Sequence, residues 1–192
     1  MMISALLLTL TLAQAEAPAI TYDPKVTKVA MLPILNTSGE KWKELRQRQE
    51  KSAADWLRDS FKKRGFVVLE DGEVSKAITS LGIDFTDEEN ITRANVLEVG
   101  KASQADVVQL TVITDTRQDG SGFGQTGYGV STVKSWLIDV KTGRPIFSAR
   151  SNTARSARAS HRTSDRQVWA IPLALSDTFK EFFKGYPEIT GK

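Results

Sequence analysis

Gly122-Phe-Gly-Gln-Thr-Gly127 spells G-x-G-x-x-G, the spacing of a dinucleotide-binding loop. In that role a strand enters the loop and a helix leaves it, so that the helix N-terminus meets pyrophosphate with its N–H groups and its dipole. Here the chain leaves the loop into an alternating apolar run from about Val130, which reads as a strand, and the loop holds no lysine. The anion site is missing from the pattern, so nucleotide binding is not expected. Ser160, His161, Ser164 and Asp165 offer the residue types of a hydrolytic triad. A triad needs a nucleophile on rigid structure, a base bonded to it and an oxyanion hole. Four polar neighbours in a Ser/Arg-rich stretch supply none of these, and His161 reads as a surface histidine. Asp87, Glu88 and Glu89 could be paired carboxylates for acid–base work, yet capping and the helix dipole account for acids just after Thr86. With no cysteine and one histidine, the chain is excluded from disulfide, thiolate-metal, Fe–S, cysteine-nucleophile and multi-histidine chemistry. No catalysis, cofactor or metal is expected.

Two features remain that could make contacts. Residues 120–129 hold five glycines and carry Phe123 and Tyr128 as aromatics on a Gly-rich hairpin connection. They read either as a plain loop or as a partner-contact element. The second feature is an arginine series: Arg144, Arg150, Arg155, Arg158, Arg162 and Arg166, with no acid between Arg144 and Asp165. The four-residue spacing of Arg158, Arg162 and Arg166 would put them on one face of a helix. The series reads either as a charged, solvated edge or as a positive field for an envelope protein, an anionic envelope polymer or lipid headgroups. Phe123, Tyr128, Arg155, Arg158, Arg162 and Arg166 are therefore the candidate partner contacts. Across all 192 residues, 26 Lys+Arg against 23 Asp+Glu leave a formal +3, too small an excess to call for nucleic acid.

The elements that would position these residues follow from periodicity. Residues 3–12 (ISALLLTLTL) carry no charge, and Ala13-Gln14-Ala15 supplies the small-x-small pattern of a cleavage site. Residues 1–15 thus read as an export signal, too short an apolar stretch for a permanent span. Residues 16–27 read as a flexible tether and 28–186 as one α/β (α+β) domain. Apolar runs at 28–35 and 66–70 suit strands, with Pro33 near a strand end. Between them Trp42, Leu45, Ala53, Trp56, Leu57 and Phe61 mark the inner face of a helix over 41–63 that Gly65 closes. A short helix carries Val74, Ala77, Ile78 and Leu81. Thr86-Asp87-Glu88-Glu89 signals the start of a mostly helical stretch to Ser103. Strands follow at 105–114, 130–140 and 144–151, the last two joined by a tight turn at Lys141-Thr142-Gly143. Val168, Leu175, Phe179 and Phe182 line a closing helix in which Pro172 belongs near the first turn. The order β-α-β-α-α-β-β-β-α predicts a single mixed sheet with its helices mainly on one face.

These segments together resemble a family. Lys28-Val-Ala-Met-Leu-Pro-Ile-Leu-Asn-Thr-Ser-Gly39 is similar to the "xVAVLPFxNxSG" opening of certain bacterial envelope α/β domains. Among these are the amino-terminal domain of the Tol-system periplasmic protein, the penicillin-binding-protein activator lipoproteins and the curli-type secretion channel. Val99-Gly-Lys-Ala-Ser-Gln-Ala-Asp-Val-Val108 resembles the family's "xxGxxxxADxVVxG", and Trp136-Leu-Ile-Asp-Val-Lys-Thr-Gly-Arg-Pro-Ile146 its "LxLxDxxTGxxV" hairpin. The resemblance runs over about residues 28–183. It implies a non-enzymatic adaptor, activator or assembly subunit, periplasmic or secreted. The chain lacks the cysteine that the lipoprotein members acylate, and 117–129 is too short and glycine-rich for a membrane-spanning hairpin. An adaptor is the expected role, and a subunit of a curli-type secretion or outer-membrane assembly complex is the alternative.

Overall fold

The computed structural model describes residues 22–119, 127–156 and 163–189. The expected export signal and residues 16–21 of the expected tether lie outside these. Lys28–Met31 forms β1, and after Leu32-Pro33-Ile34 the chain resumes as β2 (Leu35–Asn36). Both pair in parallel with β4 (Val107–Asp119). Pro33 sits in the gap between β1 and β2, where its missing N–H is not needed. The helix α1 (Lys43–Lys62) leads to β3 (Val67–Val68), which pairs in parallel with β1 on its other side. From β3 the chain passes through α2 (Asp71–Leu81), a single 3₁₀ turn (Glu88–Asn90) and α3 (Arg93–Ala102) to reach β4. The antiparallel strands β5 (Tyr128–Asp139) and β6 (Pro145–Arg150) follow, and β7 (Ala154–Arg155) extends the far end of β5. The closing helix is α4 (Thr163–Lys184). The result is one mixed sheet of seven strands with the order β3-β1-β4-β5-β6.

Alternation along the strands divides the apolar side chains between two cores. Val29, Val107 and Leu137 face the long helices α1 and α4, meeting Leu57, Phe61, Leu175 and Phe179. Their chain neighbours Ala30, Val108 and Ile138 face the short helices α2 and α3, meeting Val74, Ala77, Val96 and Val99. The helices are thus not mainly on one face, as the element order had predicted: the two long ones share one face and the two short ones cover the other, because the crossovers from β1 and β3 run on opposite sides of the sheet. Gly100 has a packing reason: a Cβ there would lie 2.6 Å from both Val108 and Val140. Only glycine lets α3 come this close to the sheet.

Several local expectations are corrected. Trp42 is not on the buried face of α1; it stands at the helix N-cap, 71% exposed, because the helix begins one residue later. Thr86 does not cap a long helix. The Asp87 side chain accepts from the Glu89 N–H to close the 3₁₀ turn, and Thr92 caps α3 by accepting from Asn95 N–H. Pro172 lies well inside α4, where it removes the N–H that would bond the Val168 carbonyl. The Ser52 hydroxyl of α1 donates to that carbonyl at 3.5 Å. Residues 22–27, the described end of the expected tether, are held against the domain: Thr27 is buried and Tyr22 packs on the core.

Candidate functional site

The described candidate contacts, Tyr128, Arg155 and Arg166, gather at the end of the β4–β5 hairpin, where Asp119 pairs with Tyr128. What fixes this end is a close approach of α4 to β5. A Cβ on Gly129 would sit 2.0 Å from the Arg166 carbonyl oxygen and 2.5 Å from Gln167 nitrogen, so the strand admits only glycine here. Gly129 also exchanges hydrogen bonds with Ser156: its N–H donates to Ser156 Oγ at 2.8 Å, and its carbonyl accepts from the Ser156 N–H at 2.9 Å. These contacts bring the start of β5, the end of β7 and the first turns of α4 together.

Three of the expected contact residues meet there. Tyr128 is half-buried at the start of β5, and the exposed Arg155 lays its guanidinium over the Tyr128 ring, 4.8 Å from the centroid. An arginine stacked on a phenol at this separation is held by the ring's quadrupole at about 0.5–1 kcal/mol. Arg166 is half-buried with its Nη1 beside Gly127. Around them run two ion pairs, Arg48 with Asp165 and Arg117 with Asp115. Phe123, Arg158 and Arg162 lie outside the described residues, as do His161 and most of the glycine-rich loop. The corner thus joins one aromatic ring to a guanidinium stacked on it, with a second guanidinium beside Gly127. Among the described residues, no three His, Asp or Glu side chains come together as metal ligands would, and no helix is long and apolar enough to cross a membrane.

Beneath this corner lies a polar network that sequence reasoning did not find. Asn36 Nδ2 donates to Gln49 Oε1 (2.8 Å), and Gln49 Nε2 donates to Thr116 Oγ1 (3.3 Å). Thr116 Oγ1 donates to Ser38 Oγ (3.0 Å), and Ser38 Oγ returns to Asn36 Oδ1 (2.6 Å). The ring is closed, and Gln49 Nε2 adds a spoke to Gln167 Oε1 of α4 at 3.2 Å. Gln49 is fully buried. Satisfied networks of this kind fix one arrangement of the elements that share them. Here they are β2, α1, β4 and α4, with Ser38 of the turn after β2 closing the ring. The available signal was the helix spacing: Gln49 follows Leu45 and precedes Ala53 by four residues each, so it falls on the inner face of α1.

At the opposite end of β5, Tyr22 clamps the incoming chain. Its hydroxyl donates to Asp139 Oδ2 at 2.7 Å, and its N–H donates to the Tyr186 hydroxyl at 3.1 Å. The other Asp139 oxygen accepts from the N–H and hydroxyl of Thr142, both at 2.6 Å, which organises the tight turn into β6. Burial raises the Tyr22 phenol above the ordinary tyrosine range, and the Asp139 bond and charge add to the rise. Burial pushes Asp139 upward too, but the hydrogen bonds from Thr142 and Tyr22 outweigh it and hold the carboxyl below the usual aspartate range.

No protein-family model and no curated protein matches the chain. Solved structures do match. Lipoprotein GNA1162 from Neisseria meningitidis superposes with a TM-score of 0.58 at 12% identity, over 82% of this chain and 99% of that one. The LpoB C-terminal domain from Salmonella enterica superposes with a TM-score of 0.50 at 15% identity, over 68% and 83%. The chain shares their fold.

Proposed function

We propose that this chain is an exported, envelope-associated adaptor or activator that works by binding a protein partner, without catalysis. The observation that carries the reading is the corner where Arg155 stacks on Tyr128 beside Arg166, a basic and aromatic surface on a rigid frame. Its chemistry fits an acidic protein surface, with arginine and tyrosine as the contact-forming types. The fold likeness to a neisserial lipoprotein and to LpoB supports the activator-lipoprotein part of the resemblance, by analogy of fold. Export rests on residues 1–15 as a cleaved signal, with 16–21 leading to the Tyr22 clamp.

Capture of partners from an envelope extract tests the binding. The wild-type chain should retain an acidic envelope protein at low salt and lose it as ionic strength rises, since exposed charge pairs are screened within about 10 Å at 0.1 M. Deletion of 119–129 with neutralisation of Arg155, Arg158, Arg162 and Arg166 should weaken capture by roughly tenfold or more. Unchanged capture would count against the corner. Intact-mass measurement of the exported fraction should show a chain beginning at Glu16; one beginning at Met1 or Met2 would remove the export reading.

A further inference from the structure

The sheet order ends on β6, and among the described residues no strand pairs with its outer side. The register shows which backbone groups are left there. The Ser151 N–H donates to the Val133 carbonyl at 2.9 Å, which makes those two residues a hydrogen-bonded pair. Alternation along the ladder makes Ser135 with Ala149 and Leu137 with Phe147 hydrogen-bonded pairs as well. Lys134 with Arg150 and Trp136 with Ser148 are the non-hydrogen-bonded pairs between them. The N–H and C=O of Ser148 and Arg150 therefore point away from β5, and no hydrogen bond among the described residues uses them.

The side chains of these two pairs add a charge argument. Lys134 and Arg150 stand directly opposite each other in the kind of pair that brings side chains closest, with Cα atoms about 4.5 Å apart. Like charges so placed are destabilising. Neither cation has an acid within ion-pair reach among the described residues, and Asp115, opposite Thr132 on the same face, is engaged by Arg117. One pair along, the half-buried Trp136 stands opposite Ser148, a small and exposed side chain. The edge thus presents, side by side, unused backbone groups, two uncompensated cations and part of an indole.

We infer that β6 is an edge for strand addition by an acidic, extended segment of a partner protein. The incoming strand pairs its backbone with Ser148 and Arg150 and sets a carboxylate beside Arg150, where Lys134 also faces it. Two residues along the same face, an apolar side chain of that strand meets Trp136 across Ser148. Charge decides the occupant. Sheets guard open edges with charged side chains, and here the guard is specific in sign. A second copy of this chain would bring another Lys134 and Arg150 to the same edge and add to the repulsion, whereas a carboxylate relieves it. The inference goes beyond the adaptor reading and uses none of the corner's residues, and its test needs no captured partner.

The test follows the backbone amide signals of the full mature chain by nuclear magnetic resonance during titration with two blocked octapeptides. Both alternate threonine and valine; one carries a single central glutamate and the other a lysine in its place. The glutamate peptide should shift the Ser148 and Arg150 amides and slow their hydrogen exchange. It should bind at least about fivefold tighter than the lysine peptide, as expected when an attraction replaces a repulsion across a strand pair. Arg150→Glu leaves one cation beside one acid, and the preference should fall to within about twofold. Ser148→Pro removes only an outward N–H and keeps the ladder to β5, so it should weaken the glutamate peptide by about tenfold or more with the urea midpoint close to wild type. Equal binding of the two peptides, shifts centred away from β6, or binding untouched by Ser148→Pro would overturn the inference. The same holds if neither peptide shifts the edge at millimolar concentration. Edge signals that move with protein concentration alone would also overturn it, by assigning the edge to a second copy.

Discussion

Gln49 and Gly129 show how much a single position carries in this molecule. Gln49 is the hub of a buried ring, so Gln49→Leu would leave Asn36 Nδ2 and Gln167 Oε1 without their partners. The expected loss is about 3 kcal/mol, read as a lowered urea midpoint with an unchanged slope. Gly129→Ala would drive a methyl group into the Arg166 carbonyl, and a loss of about 3 kcal/mol is expected in the same measurement. Tyr22 and Asp139 give a pH-dependent pair. Because the Tyr22 phenol is raised on folding, the stability it contributes is complete below the ordinary tyrosine value near 10 and is lost as pH climbs above it. Because Asp139 is lowered, its contribution is complete above the ordinary aspartate value near 4 and is lost as pH falls below it. Tyr22→Phe should therefore be less stable than wild type at pH 7 by about 1.5 kcal/mol. The gap should narrow above about pH 10, where only the wild-type phenol ionises. A gap of constant size from pH 7 to pH 11 would show that the clamp contributes nothing through its proton.

Among the elements, α4 is the one built against its own propensity. Pro172 breaks its hydrogen-bond ladder, and Ser52 of α1 donates to the carbonyl so freed. Pro172→Ala should restore the ladder and raise stability by about 1–3 kcal/mol, visible as an upward shift in Tm. Ser52→Ala should cost about 0.5–1 kcal/mol in the wild-type chain and close to nothing beside Pro172→Ala, since Val168 then has a backbone donor. Additive effects in that double-mutant cycle would contradict the link. The same helix marks the limit of what periodicity reveals. Val168, Leu175, Phe179 and Phe182 gave its inner face, and the alternations gave β4, β5 and β6, because burial imposes these periods directly on the residues. The internal position of Pro172 is rescued by a hydroxyl more than a hundred residues away in the chain, and no local pattern records that. The split of the helices between two faces is likewise a property of crossings and not of any one segment. The short β2 and β7 escaped notice because two residues carry no period at all. At the candidate corner the residue types were legible, but the meeting of Tyr128, Arg155 and Arg166 depends on Gly129 admitting a helix, which only the fold displays.

For the molecule as a whole, β5 links the candidate corner to the Tyr22 clamp. The Tyr128 corner and the Asp139 clamp lie at its two ends, roughly 36 Å apart for a strand of this length. At the corner, Arg155→Ala should weaken partner capture while leaving the urea midpoint close to wild type, as expected for an exposed side chain. The clamp has a mechanical consequence. The chain enters at Tyr22 and runs directly into β1, which is bonded along both edges, to β3 and to β4, in parallel register. Tension drawn through the leading segment would meet Tyr22 first and then load both rows of backbone bonds in shear, so that they must yield together instead of unzipping one after another. A domain threaded in this way keeps its far corner presented while being tugged from the other end.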